Sequence, residues 1–200
     1  ALEPESLNCE AILQAWYPGQ AGGQAVAEVL FGDYNPAGKL PLTFYRNLAQ
    51  IPDFEDYNMT GRTYRYMKET PLFPFGHGLS YTTFKYGKLK MNDDKIAAGQ
   101  NLNLVIPVTN TGSRDGDEVV QVYLKKMDDT EGPVKTLRAF KRVRIPAGKT
   151  VEVKFSLDDT QLEWWDEQSN TMRVCPGNYT VMIGGTSCEK SLLSRAFTIR

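Results

Sequence analysis

The side chains best suited to chemistry in this sequence include a single histidine, which lies in an aromatic segment. His77 stands between two glycines in TPLFPFGHGLSYTTF, residues 70–84. Histidine titrates near neutral pH and can act as a general base, but PFGHGLS contains no acid, nucleophile or orienting partner for it. The segment is therefore open to three interpretations, a catalytic loop, a ligand platform or a hinge between domains, and its glycines favour a turn.

The densest carboxylate cluster is PDFEDY, which contains Asp53, Glu55 and Asp56. Retaining glycoside hydrolases use two carboxyl groups about 5 Å apart, so these residue types would suit the hydrolysis of a glycoside. Closeness in sequence does not establish that geometry, and charged loops are commonly solvated. We therefore expect a solvated loop here.

A run of arginine and tyrosine follows in GRTYRYM, where Arg62, Tyr64, Arg65 and Tyr66 lie close together. Guanidinium groups and aromatic rings can stack on a sugar and donate hydrogen bonds to it. The same side chains can pack against a neighbouring domain. Substrate contact and interdomain contact both remain open for these four residues.

Trp164 and Trp165 in LEWWDE resemble the exposed aromatic residues of a carbohydrate-binding face. Successive side chains of a strand point to opposite faces. We therefore expect one of the two indoles to lie in the core and the other to be partly exposed, where it could contact a sugar or another domain.

No stretch of the sequence indicates a metal or a cofactor. PGQAGGQA stands between a predicted strand and a predicted helix, where phosphates often bind, but it lacks the Walker lysine and the dinucleotide-binding glycine spacing. Its glycines are expected to allow a tight turn. Cys9, Cys175 and Cys188 lack zinc-ligand spacing; a disulfide between Cys175 and Cys188 and free buried thiols both remain open.

The composition is typical of a soluble globular protein. Hydrophobic residues make up 41% and charged residues 24%, and the net charge of −1 leaves no basic footprint for nucleic acid. No apolar run approaches the roughly 20 residues that span a bilayer. The opening ALEPESLNCE does not resemble a signal peptide.

The first part of the chain predicts a strand, a helix and a second extended segment. Residues 11–16 form a nearly continuous apolar run, which is typical of a strand covered on both faces. A helical spacing of apolar residues follows and ends at Gly32, and residues 40–44 return extended. Such a strand needs parallel neighbours that this sequence does not contain. We therefore expect residues 1–46 to be the C-terminal remnant of a larger α/β domain.

The rest of the chain predicts a β-sandwich joined to the first part by a long linker. Residues 47–83 lack periodicity and form an aromatic, proline-rich connection, whereas residues 84–200 contain short alternating apolar runs separated by turns. This pattern predicts a mainly β fold, with an immunoglobulin-like β-sandwich after a partial α/β segment. One strand is expected over residues 161–166, and Pro107 is expected to place its strand at an edge or a bulge.

The ordered motifs of the chain resemble a known family. AWYPGQAGGQAVAEVLFGDYNPAGKLPLTF, YRY and PLFPFGHGLSYTTF are similar to the C-terminal part of family 3 glycoside hydrolases. VTNTGSRDGDEVVQVYL, LRAFKRVRIPAGKTVEVKF and PGNYTVMIGG resemble the fibronectin type III-like domain that closes many members. The resemblance covers essentially the whole chain, and GRTYRYM is more similar to the β-xylosidase/α-arabinofuranosidase branch than to typical β-glucosidases.

The resemblance implies a retaining enzyme that releases terminal, non-reducing xylose, glucose or arabinose from plant-polysaccharide oligosaccharides. In the family the nucleophile is an aspartate of an N-terminal (β/α)₈ barrel, and the acid/base is a glutamate of the α/β sandwich domain. Neither motif occurs here, so the resemblance places no catalytic residue, metal or cofactor in this chain. The chain alone is expected to be structural and inactive.

The partners implied by the resemblance are the upstream barrel and α/β sandwich domains of the same polypeptide, together with the oligosaccharide substrate of the whole enzyme. Nucleic acid and a membrane span are not expected, and the implied location is periplasmic or secreted. A non-catalytic carbohydrate-binding or structural fibronectin-like module is the alternative.

Overall fold

The computed structural model describes residues 8–200, so the first seven residues of the predicted α/β remnant lie outside this range. Regular structure is sparse before residue 84. The elements described there are α1 (Gly22–Phe31), a 3₁₀ helix (Leu48–Gln50), α2 (Thr63–Tyr66) and an isolated antiparallel bridge between Phe44 and Phe73.

Helix α1 forms where the apolar spacing predicts a helix. Gly32 ends it with a φ of +83°, and its N–H donates to the carbonyl of Val29 at 3.1 Å, which is the usual role of glycine after a helix. At the other end, a Cβ on Gly22 would lie 2.4 Å from the Cβ of Pro18. The glycines of PGQAGG therefore permit a tight turn into the helix, as expected.

The strand predicted over residues 11–16 does not form, which corrects the first element of the predicted strand–helix–strand unit. These residues are exposed and pair with no strand in the part of the chain that the structure describes. A strand of this apolar type needs bonded neighbours, and residues 8–200 supply none. Of the extended segment expected over residues 40–44, only Phe44 pairs, in the bridge to Phe73, and residues 41 and 42 form a bend.

The sandwich contains two principal sheets and a small hairpin. In the first sheet, the central strand β4 pairs with β7 on one side and with β1 and β2 on the other; the second has the order β3-β11-β10-β5-β6, and β8 pairs with β9. The strands are β1 (Phe84–Tyr86), β2 (Lys90–Met91), β3 (Lys95–Ile96), β4 (Leu102–Asn110), β5 (Gly116–Lys126), β6 (Thr136–Ile145), β7 (Thr150–Leu157), β8 (Trp164–Asp166), β9 (Thr171–Arg173), β10 (Gly177–Gly184) and β11 (Leu193–Ile199).

The core of the sandwich is formed by alternate residues of the facing strands, as the sequence predicts. The inward side chains of β4 are fully buried, and those of β5 and β10 meet them from the second sheet. Polar residues alternate with the inward residues along β7, and the alternate positions of β4 are exposed or half-buried. The mainly β fold class, with its fibronectin III-like sandwich, is confirmed.

Of the two places expected for Pro107, an edge strand is wrong because β4 is a central strand, whereas a bulge fits. Residues 106 and 107 of β4 face three residues, 87–89, between β1 and β2. Pro107 pairs with Glu152 of β7 on one side, and its carbonyl accepts from the N–H of Gly87 on the other at 2.8 Å. Gly87 falls in the gap between β1 and β2. The ladder is interrupted where proline has no N–H to donate, which is how a central strand accommodates it.

Residues 161–166 do not form one strand, which corrects another prediction. A short helix, α3 (Asp159–Leu162), comes first and only then β8. The side chain of Asp158 caps α3 by accepting from the N–H of Thr160. The side chain of Gln161 accepts from the N–H of Asp158, which completes a capping box. The motif Asp-x-x-Gln is a sequence signature of a helix start and could have been recognised.

The cysteines do not pair: Cys175 is buried, Cys188 is half-buried, and all three thiols are free. Within residues 8–200, no helix has the length and apolar character needed to cross a membrane. The same part of the chain contains no cluster of three or more potential metal ligands.

Candidate functional site

The aromatic segment at residues 70–84 lies between residues 40–44 and the sandwich. On one side, Gly76 N–H donates to Leu40 O at 2.7 Å, and Leu40 N–H donates to His77 O at 2.8 Å. On the other, the carbonyl of Phe75 accepts from the N–H of Ser187 at 2.9 Å. Backbone bonds in both directions make this segment the junction between the two parts of the chain.

Gly76 allows the junction to approach the sandwich closely. Its φ is +78°, and an added Cβ would lie only 2.1 Å from Oε1 of Gln121. The Gln121 side chain is buried, and its Nε2 donates to Gly185 O at 2.7 Å and to Gly76 O at 3.3 Å. The carbonyls of the junction and of the sandwich therefore share one buried amide donor.

His77 has the environment of a turn residue. Its ring stacks on Phe73 with 5.3 Å between centroids, and the backbone N–H of His77 donates to the carbonyl of Pro74 at 3.1 Å. Burial lowers the pKa of His77, and the nearby Lys39 lowers it further, so the imidazole is neutral at pH 7. These contacts support the turn interpretation over the catalytic loop.

Tyr64 contacts the sandwich directly. Its ring stacks on Phe75 with 4.3 Å between centroids and meets Tyr123 of β5 edge to face at 5.9 Å. Its hydroxyl accepts a hydrogen bond from the N–H of Leu137 at 3.1 Å. Substrate contact and interdomain contact were both open for Tyr64. The contacts observed are of the second kind, since they pack one part of the chain against the other.

The other members of the arginine–tyrosine run diverge. Arg62 turns back on its own loop, where it donates to the carbonyl of Asn58 at 3.0 Å and to that of Asp56. The guanidinium of Arg65 lies 5.5 Å from the centroid of the Tyr66 ring. The four residues therefore do not converge on one ligand surface.

Trp164 and Trp165 point to opposite sides, as the alternation of a strand predicts. Trp164 is 4% exposed; its ring meets Tyr179 edge to face and its Nε1–H donates to Asp129 at 2.7 Å. Trp165 is 49% exposed and pairs across the hairpin with Met172, which is 46% exposed. Of these two indoles, only that of Trp165 is accessible to a ligand.

The carboxylate cluster at residues 53–56 bonds its own loop. Asp53 accepts from the N–H of Glu55 at 3.1 Å, and Asp56 accepts from the backbone and side chain of Asn58 at 2.9 and 2.8 Å. The hydrogen bonds from Asn58 lower the pKa of Asp56. These are the contacts of a solvated loop, as expected.

A buried ion pair joins the two parts of the chain, and sequence patterns gave no signal for it. Lys39 Nζ lies 3.2 Å from Oε1 of Glu118, with the side chains 15% and 7% exposed. Lys39 also donates to the carbonyl of Gly78 at 3.1 Å, and Glu118 accepts from the N–H of Val119 at 2.9 Å. Burial raises the pKa of Glu118, and the ammonium group of Lys39 opposes this shift.

Because its pKa is raised, Glu118 should give the protein a measurable pH dependence. Protonated Glu118 stabilises the folded state below about pH 4.5, and this contribution is lost as pH rises through the raised pKa. The free energy of unfolding of wild type should therefore fall relative to Glu118→Gln between about pH 4 and pH 7. Urea unfolding across this range measures the difference, with the exposed Glu152→Gln as control; a constant difference for Glu118→Gln would contradict the prediction.

Phe75→Ala should destabilise the junction because it removes the ring that stacks on Tyr64. We expect a loss of about 2 kcal/mol in the free energy of unfolding, since the site is only partly buried. Thermal unfolding followed by circular dichroism measures it. Phe54→Ala, at a site that is 91% exposed, is the matched control; equal effects from the two variants would rule out a bracing role for Phe75.

The part of the chain before the junction exposes large apolar side chains. They lie on residues 11–17, on α1 and along residues 48–59. Several are more than three-quarters exposed, which is unusual for a self-contained surface. The exposed residues are Ile12, Leu13, Trp16, Tyr17, Leu30, Phe31, Leu48, Ile51, Phe54, Tyr57 and Met59.

Comparison with known families accounts for both parts of the chain. Residues 1–81 match the glycosyl hydrolase family 3 C-terminal domain, and residues 118–187 match a fibronectin type III-like domain. The chain belongs to glycoside hydrolase family 3. It corresponds to the C-terminal part of the family's members.

Relatives of this family 3 chain are similar along its whole length. A xylan 1,4-beta-xylosidase from Xylanibacter ruminicola is 52% identical over 199 residues, which are 100% of this chain and 23% of the relative. A periplasmic beta-glucosidase from Salmonella typhimurium is 39% identical over 94% of this chain and 26% of its own length. The chain thus spans about a quarter of the curated relatives it matches.

Solved structures show the same arrangement of the two parts. A β-glucosidase from Erythrobacter marinus superposes with a TM-score of 0.83 at 39% identity, over 98% of this family 3 chain and 26% of that protein. A β-glucosidase from Listeria innocua in complex with glucose gives a TM-score of 0.81 at 28% identity, over 99% and 29%.

Proposed function

We propose that this chain is the C-terminal part of a retaining β-glycosidase that removes terminal, non-reducing xylose, glucose or arabinose from oligosaccharides of plant polysaccharides. The similarity to a xylan 1,4-beta-xylosidase at 52% identity carries this proposal. The relative named a periplasmic beta-glucosidase supports a periplasmic or secreted location for the whole protein.

Within that enzyme, the chain has a structural role and does not supply the catalytic carboxylates. Retaining hydrolysis needs a nucleophile and an acid/base about 5 Å apart. The carboxylates of the cluster at residues 53–56 instead bond their own loop, and Glu118 pairs with Lys39. The barrel and the rest of the α/β domain, upstream in the same polypeptide, would supply catalysis and cover the exposed apolar side chains.

Nitrophenyl β-xyloside, β-glucoside and α-arabinofuranoside test the proposal. We expect no hydrolysis above buffer by the 200-residue chain and clear hydrolysis by the longer polypeptide encoded with its upstream reading frame. Turnover by the chain alone would overturn the structural role. An upstream frame without a barrel domain would overturn the glycosidase assignment.

Carbohydrate binding by the sandwich is a second candidate function, favoured by the exposure of Trp165 beside Met172. An apolar pair of this kind can stack on the C–H face of a sugar ring. Affinity electrophoresis of the chain in gels containing xylan tests it. Retardation that is lost in Trp165→Ala and kept in Phe140→Ala, another exposed aromatic position, would support binding; no retardation of the wild type would remove this candidate.

A further inference from the structure

Two arginines meet where α2 packs against the start of β6. The N–H of Val134 donates to the carbonyl of Arg65 at 2.7 Å, and the N–H of Leu137 donates to the hydroxyl of Tyr64 at 3.1 Å. These bonds hold α2 against the strand that carries Arg138. The positive charge of Arg65 also acts on the guanidinium of Arg138.

Both guanidiniums rest on aromatic rings but lack an anionic partner. The Cζ of Arg65 lies 5.5 Å from the centroid of Tyr66, and that of Arg138 lies 5.0 Å from the centroid of Trp164. Nε of each arginine is buried without a hydrogen-bond acceptor. Arg138 does donate from Nη2 to the backbone carbonyl of Glu163 at 2.8 Å, but within residues 8–200 neither guanidinium forms an ion pair.

The surroundings add positive charge and one more unused donor. Burial lowers the pKa of Arg138 and the charge of Arg65 lowers it further, while Glu163 acts in the opposite direction. Lys135 is buried beside β6 and reaches only the exposed Glu189, at 3.3 Å. The hydroxyl of Thr136 is buried without a partner. Unpaired buried charges and donors are costly, and a bound anion would satisfy them.

We propose that Arg65 and Arg138 form an anion-binding site that takes a carboxylate. The planar fork of a guanidinium matches the two oxygens of a carboxylate, and two forks sharing one anion would neutralise their mutual repulsion. The carboxylate can come from a small molecule, such as a sugar acid, or from a side chain of the preceding polypeptide. The site does not depend on the proposed glycosidase function.

Thermal unfolding of the 200-residue chain with D-glucuronate, at constant ionic strength, tests the site. We expect a saturable rise of about 3–6 °C in Tm, with no rise for neutral D-glucose. Arg65→Gln should abolish the rise, and Arg65→Lys, which keeps the charge but loses the planar fork, should weaken the affinity several-fold. Arg144→Gln, at a side chain that is 70% exposed, should keep it.

The same titration on the longer polypeptide distinguishes the two sources. If a carboxylate of the preceding domains occupies the site, glucuronate leaves the Tm of the longer polypeptide unchanged, and Arg65→Gln lowers that Tm more than it lowers the Tm of the chain. If a small molecule is the ligand, both proteins respond to glucuronate. A rise that Arg65→Gln retains, or no rise in the 200-residue chain, would overturn the site.

Discussion

Gly76→Ala is expected to lower the free energy of unfolding by about 3 kcal/mol, which corresponds to a fall of about 6–12 °C in Tm for a chain of this size. Two effects add at this position. The φ of +78° strains any residue with a Cβ, and that Cβ would lie 2.1 Å from Oε1 of Gln121. Gln121 must then move, which removes the donor of the half-buried carbonyl of Gly185.

Gly38→Ala is the matched control because it is a glycine of the same region with no atom within 4 Å of an added Cβ. Its backbone lies outside the left-handed region, so we expect a change below about 0.5 kcal/mol. Urea unfolding monitored by tryptophan fluorescence compares the two variants. Equal stability of Gly76→Ala and wild type would mean that the junction does not require this glycine.

Glu118→Ala is expected to lower the free energy of unfolding by about 3–5 kcal/mol at pH 7, because it leaves the ammonium of Lys39 in a buried site without its partner. Lys39→Met should be costly for the same reason, since it strands the carboxylate. Replacement of both residues by Met should lower the free energy of unfolding by less than the two single substitutions together, because the cost of burying the two charges offsets much of their attraction. The raised pKa of Glu118, in which burial outweighs Lys39, agrees with this expectation.

A double-mutant cycle over the two positions measures the coupling free energy. The exposed pair of Lys90 and Glu152, 3.9 Å apart with side chains 67% and 52% exposed, is the control and should couple by less than about 1 kcal/mol. Additive effects of the substitutions at Lys39 and Glu118 would show that the pair does not connect the two parts of the chain.

Features that depend on local alternation could be predicted from the sequence. The apolar positions of β4 predicted its buried face, and the adjacent positions of Trp164 and Trp165 predicted opposite exposures. Helix α1 was predicted by its apolar spacing and by Gly32 at its end. In each case the residues that form the pattern lie within a few positions of one another in the chain, so no distant partner is needed to recognise it.

Features that depend on distant partners could not be predicted. Residues 11–16 have the composition of a buried strand, but a strand forms only beside another strand, and none is available in the described chain. Lys39 and Glu118 are far apart in sequence and meet only through the packing of the junction. The sequence around Pro107 could not decide between an edge and a bulge, because the extra residue that accommodates this proline lies between β1 and β2 and not in β4 itself.

Bonds between the junction and the sandwich also decide how this protein can be divided. A cut at residue 84 would follow the end of the linker, but it would remove Tyr64 and Phe75 from the outer face of β5 and uncover Tyr123 and Gln121. The excised sandwich would then present the Tyr123 ring and the Gln121 amide, which loses its bond to Gly76, to solvent. The sandwich is therefore not a self-contained unit, and a fragment of this chain that is fused to another protein should begin before α2.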